Sequence, residues 1–168
     1  MTQSKTLRRW ELALLLGVAL AALLGVWLDG AQAALSDRVI RLHVLANSDS
    51  EADQALKLRV RDAVLAEAEE LFVPGAGRAE TEELLRAHLY DLAAAGAEVV
   101  GEAGYSYPVT ASLVHDYWFP PKTYTDFALP AGAYTALRIE IGAGGGQNWW
   151  CVVFPPLCLG SVSETTQE

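Results

Sequence analysis

Apolar and polar positions alternate over residues 39–46, with Ile40, Leu42, Val44 and Ala46 on one side and Arg41 and His43 on the other. That period predicts a half-buried strand. Asn47-Ser48-Asp49-Ser50 closes it with residues that bond nearby backbone and favour turns and helix caps. Either Ser48 or Ser50 suits an N-cap, and Glu51 and Asp53 complement the positive end of a helix dipole. Leu56, Val60, Ala63, Val64 and Leu71, widened by Leu58 and Leu65, form a helical stripe to about Phe72, where Pro74-Gly75-Ala76-Gly77 stops it. Leu84, Leu85, Leu89 and Leu92 predict a second helix over residues 80–95, and residues 97–103 can add a turn or two beyond Gly96.

Strand periodicity returns over residues 109–115 and again over 133–141, where Thr135, Leu137, Ile139 and Ile141 oppose Tyr134, Arg138 and Glu140. Between them, residues 116–130 are rich in aromatics and proline and read as a long loop with strand-edge character, because Pro120 and Pro121 exclude a regular ladder. Asn148-Trp149-Trp150-Cys151-Val152-Val153-Phe154, bounded by glycines before and Pro155-Pro156 after, reads as a buried strand. Trp149 and Trp150 must then point to opposite faces. The glycine run 142–146 is expected to join the last two strands as a hairpin with a mobile surplus of residues. The order strand, helices, three strands predicts an α+β, two-layer fold: a mainly antiparallel sheet of about four strands with two or three helices on one face.

Ahead of this domain, Lys5, Arg8 and Arg9 precede an uncharged apolar run over residues 12–28, and Ala31-Gln32-Ala33 supplies a small-x-small step. This is the layout of a signal peptide over residues 1–33, cleaved before Ala34. The run is also at the short limit for spanning a bilayer, so a retained anchor is the alternative. On either reading residues 34–159 form a single domain outside the cytoplasm, followed by a polar, disordered tail over 160–168. The chain of 168 residues has net charge −9. Without residues 1–33, nine basic residues face nineteen acidic ones. Such a domain repels phosphate backbones and anionic lipid, which excludes nucleic acid as a partner and limits membrane contact to the leader.

Cys151 and Cys158 are the two cysteines. In an exported domain they read first as a disulfide, with a short loop giving roughly 2 kcal/mol. Two buried thiols are the alternative. No metal site is expected, since the pair has no second Cys/His pair at zinc-like spacing. A cysteine-hydrolase set of Cys151 with His43 and Asn47 or Asp49 is the competing functional class. It lacks a glycine elbow or oxyanion loop, and a thiol among apolar strand residues is inert. Asp49 and Asp53 as a catalytic pair are explained by capping, and the glycine run lacks the Lys-Ser/Thr of a phosphate loop. Lys57, Arg59 and Arg61, interleaved with Asp53 and Asp62, read as a solvated face. Trp118 and Phe119 fit either a loop folded on the core or an exposed aromatic patch.

Three blocks carry a family likeness. Arg41-Leu42-His43-Val44-Leu45-Ala46-Asn47-Ser48-Asp49-Ser50, continued by Asp53-Gln54-Ala55-Leu56-Lys57-Leu58-Arg59-Val60-Arg61-Asp62, is the first. Gly104-Tyr105-Ser106-Tyr107-Pro108-Val109 is the second. Tyr117-Trp118-Phe119-Pro120, Leu129-Pro130-Ala131-Gly132 and residues 148–158 make up the third. Together they resemble the stage II sporulation protein R family of endospore-forming bacteria. That family commonly carries proline where this chain has Tyr90, which leaves the division of the helices after residue 80 open. The resemblance implies an exported forespore protein, secreted into the forespore–mother cell intermembrane space. There it activates a membrane-embedded aspartic protease of the mother cell, which processes a sigma-factor precursor. It implies that the chain is the signal and not the protease; the residues themselves offer no convincing catalytic set, and neither an enzyme nor a cofactor is expected. The expected partner surface joins the Asn47-Ser48-Asp49 turn and His43 to an aromatic centre of Trp118, Phe119 and Trp149.

Overall fold

A computed structural model describes residues 8–124 and 127–156, apart from the side chains of residues 28, 29 and 31–33. It divides into two compact units, residues 1–35 and 36–168. In the first, helix α1 (Arg9–Ser36) contains a stretch, Arg9–Trp27, long and apolar enough by length and composition to cross a membrane.

The second unit opens with β1 (Ile40–Leu45), followed by helices α2 (Glu51–Glu70), α3 (Arg78–Ala87) and α4 (Leu89–Glu102). Strands β2 (Val109–Phe119), β3 (Lys122–Thr123), β4 (Ala128–Leu129), β5 (Gly132–Ile141) and β6 (Asn148–Phe154) complete it. The main sheet has the order β2-β5-β1-β6, and β3-β4 forms a separate two-stranded ribbon. This is the α+β architecture that the alternation predicts, a mostly antiparallel four-stranded sheet with a helical layer. Its core joins Leu42, Val44, Leu137 and Ile139 of the sheet to Leu56, Val60, Val64, Leu85, Leu92 and Val100 of the helices.

Several local expectations are corrected. β5 and β6 do not form a hairpin, because β1 lies between them, parallel to β5 and antiparallel to β6. Every residue of β1 is buried, Arg41 and His43 on its second face included. The central slot of a sheet suits such a strand, whereas an edge would waste it. Residues 116–119 continue β2 rather than starting a loop. One extra residue is accommodated where the register shifts between Val114 and Tyr117, and Asp116 there has φ 53°. This bulge keeps the strand paired with β5 while re-aiming Tyr117 and Phe119. The helix predicted over residues 80–95 divides at His88, with the second segment running on to Glu102. Of the two capping candidates, Ser50 caps α2, its Oγ accepting from Asp53 N at 3.2 Å.

The glycine run is anchored rather than loose. Gly146 N donates to Ala46 O at 3.0 Å and Gly145 N to Asn47 O at 3.3 Å. Asn47 Oδ1 accepts from Ala143 N at 3.0 Å, and Asp49 Oδ1 accepts from Gln147 N at 2.7 Å. The loop must cross the end of β1 to reach the far edge, and the polar turn after β1 supplies the partners it needs. A Cβ at Gly146 would stand 2.2 Å from Ser48 O, so glycine is required for the close approach. The expected tail over residues 160–168 lies outside the described residues, as does Cys158.

Candidate functional site

The sheet sorts the chemistry-bearing residues onto two faces. Leu42 pairs with Cys151 and Val44 with Trp149, on the side covered by α2, where the Arg61 guanidinium lies 4.4 Å from the Trp149 ring centre. His43 pairs with Trp150 and Arg41 with Val152, on the opposite side. Cys151 and His43 therefore project from opposite faces of adjacent strands, and the cysteine-hydrolase pairing has no geometry in this fold. Among the described residues no group of His, Cys, Asp and Glu is placed to hold a metal ion.

The side away from the helices is covered too. Arg41 is completely buried and His43 is 1% exposed, against the expectation of a polar face. Tyr117, Phe119 and Trp150 surround His43, with ring centres at 5.0, 6.2 and 6.2 Å. Burial lowers the pKa of the imidazole, and Arg138 lowers it further. Asn148, close to the ring, acts in the opposite sense, and neither ring nitrogen nor Trp150 Nε1 has a hydrogen bond of normal geometry among the described residues. On the same face Arg138 pairs with Glu140 at 2.9 Å.

At the other end of β1, Asn47 Nδ2 donates to Asp53 Oδ2 at 2.9 Å and Ser48 Oγ to the same oxygen at 2.6 Å. These hydrogen bonds, Ser48 first and Asn47 next, hold the Asp53 carboxyl below its ordinary pKa. Lys57 Nζ donates to Gln147 O at 3.0 Å and to Gln54 Oε1 at 2.6 Å. The turn is thus a clamp between α2 and the glycine loop.

The expected partner residues fall into separate places. His43 and Phe119 meet inside the domain, and Trp149 lies on the helical face. Asn47, Ser48 and Asp49 border the glycine loop, beyond the end of β1 where Leu45 pairs with Glu140. Trp118 pairs with Ala133, at the opposite end of β5. Glu140 and Ala133 are about 23 Å apart along an extended strand. The turn and the aromatic segment do not form one composite surface. Trp118 is 63% exposed while its neighbour Phe119 is fully buried, as alternation on β2 requires. Arg41 is the feature that the sequence reading left without a role, since only its place beside β5 and β6 shows that no carboxylate among the described residues pairs with it.

Comparison with known proteins follows the same boundaries. The chain is 39% identical over 125 residues to the Stage II sporulation protein R of Bacillus subtilis (strain 168), covering 74% of this chain and 55% of that protein. It thus spans about half the length of that curated relative. No solved structure matches. The family model described as Stage II sporulation protein R matches residues 36–164, which take in the whole sheet and the three helices on it, and the chain belongs to that family.

Proposed function

We propose that this protein is an exported sporulation signal that activates a membrane-embedded aspartic protease of the mother cell. The protease then processes a mother-cell sigma-factor precursor. The observation that carries the reading is the family match over residues 36–164. The apolar helix ahead of the domain is in keeping with export into the forespore–mother cell intermembrane space, as a signal peptide or as an anchor. The protein acts by binding, stabilising the active arrangement of the protease through higher affinity for it. It is not itself an enzyme.

Trp118, exposed on the outer strand β2, is the residue best placed to enter a partner. The test is co-expression of the full chain with the protease and its precursor substrate, scored by precursor cleavage. Wild type should give cleavage, and Trp118→Ala should reduce it while the chain stays folded. Absence of cleavage with the folded wild-type chain and a competent protease would overturn the reading.

A further inference from the structure

Arg41 heads the fully buried side chains by volume, yet no carboxylate among the described residues meets it. Its Nε donates to Cys151 O at 3.3 Å, and Nη1 and Nη2 have no acceptor in normal hydrogen-bond geometry among the described residues. Phe119 lies 4.2 Å and Tyr134 5.2 Å from the guanidinium carbon, so the charge rests on two ring faces. Ring faces offset part of the desolvation cost of a buried cation but leave its N–H groups unsatisfied. The Tyr124 hydroxyl lies beside the guanidinium, close enough to counter part of the lowering that burial imposes on Arg41, and makes no hydrogen bond of normal geometry among the described residues. His43, two residues along the same face, stays neutral through burial, and Arg138 is already paired with Glu140. The unmet demand on this face is for an acceptor carrying one negative charge.

We propose that Arg41 anchors a buried carboxylate-binding site, with Nη1 and Nη2 taking the two oxygens and the Tyr124 hydroxyl donating beside them. A planar carboxylate matches the guanidinium fork and neutralises it one for one. A phosphate dianion fits the same fork but would bring surplus charge into a site lined by aromatic rings, in a protein of net charge −9. Tyr124 and Phe127, stacked 4.5 Å apart and partly exposed, stand on the outer side. Tyr124 directly follows β3 and Phe127 directly precedes β4, and among the described residues this ribbon pairs with no strand of the main sheet. A ligand therefore meets side chains of a self-contained ribbon without disturbing the main ladder. The carboxylate comes either from a small molecule or from an acidic side chain of a protein. The inference does not rest on the protease-activation reading.

The test uses the full chain in detergent micelles, with the arginine Nε–H resonances followed by NMR and Arg41 assigned from Arg41→Met. Sodium acetate and the peptide acetyl-Gly-Glu-Gly-amide are titrated against sodium chloride at equal ionic strength. Acetate should shift the Arg41 resonance saturably and raise the melting temperature, and chloride should do neither. Tyr124→Phe should weaken acetate about tenfold, the loss of one hydrogen bond to a charged group. A peptide that binds about tenfold more tightly than acetate assigns the carboxylate to a protein side chain. Equal affinity assigns it to a small molecule. No saturable shift with either probe overturns the proposal. So does a melting-temperature response to acetate that survives in Arg41→Met. If Arg41→Met fails to fold, the wild-type titration with Tyr124→Phe decides.

Discussion

Asn47 serves two neighbours at once, its Oδ1 holding Ala143 N and its Nδ2 holding Asp53 Oδ2. Asn47→Ala removes both and leaves a part-buried carboxylate short of a donor. Urea unfolding should show a loss of about 1–3 kcal/mol. Asp53 adds a pH dependence. Its carboxyl pKa is lowered in the folded state by Ser48, then Asn47 and then Ser50. Its contribution is therefore fully present above the unfolded value, about 3.9, and fades as pH falls through the lower folded value. Acid unfolding followed by circular dichroism should be less steep in Asp53→Asn over that window. An unchanged acid limb would remove Asp53 from the clamp. The adjacent pair on β2 separates surface from core: Trp118→Ala should change stability by less than about 0.5 kcal/mol. Phe119→Ala should cost about 3–5 kcal/mol, since Phe119 supports Arg41, Tyr134 and Trp150.

At the scale of elements, the helical layer depends on how closely α4 approaches α2 and β2. A Cβ at Gly96 would meet Val109 Cγ1 at 3.0 Å and Val60 Cγ1 at 3.1 Å. Gly96→Val adds a branched side chain where the facing valines have no room, and should destabilise by about 1–3 kcal/mol in denaturant titration. Stability equal to wild type would mean that α4 can move off the sheet. α3 is tied down differently. Arg78 bridges Glu82 at 3.1 Å and reaches Thr135, while His115 Nδ1 lies 3.3 Å from the same hydroxyl. Polar side chains thus fix α3 over β2 and β5, where an apolar stripe alone would let it slide.

For the whole molecule, the proposed export bears on the cysteine pair. Cys151 is not a free thiol, and Cys158 lies outside the described residues. We propose that the two form a disulfide in the oxidising compartment that the leader implies. Replacing both with serine should lower the melting temperature and leave some signalling in the co-expression assay. Complete loss of signalling from a variant with normal stability would point to a chemical role instead. N-terminal sequencing of the exported protein should begin at Ala34. An intact leader on membrane-bound protein would identify an anchor.

What the sequence determined by itself was local. Period-two alternation placed β1, β2 and β5, and a helical stripe between a serine cap and the Pro74-Gly75-Ala76-Gly77 stop placed α2, because each element is encoded by neighbouring residues. Family membership was equally legible, since the matching words are contiguous. Strand order was not, because pairing β1 between β5 and β6 is decided by which strands can be buried on both sides. Nor could local pattern show that Asn47 and Asp49 clamp a loop nearly a hundred residues away. Arg41 and His43 look like a polar face in one strand because alternation records only that a second face differs from the first. The tertiary structure closed that face with Tyr117, Phe119, Tyr134 and Trp150, and so turned two polar residues into buried ones.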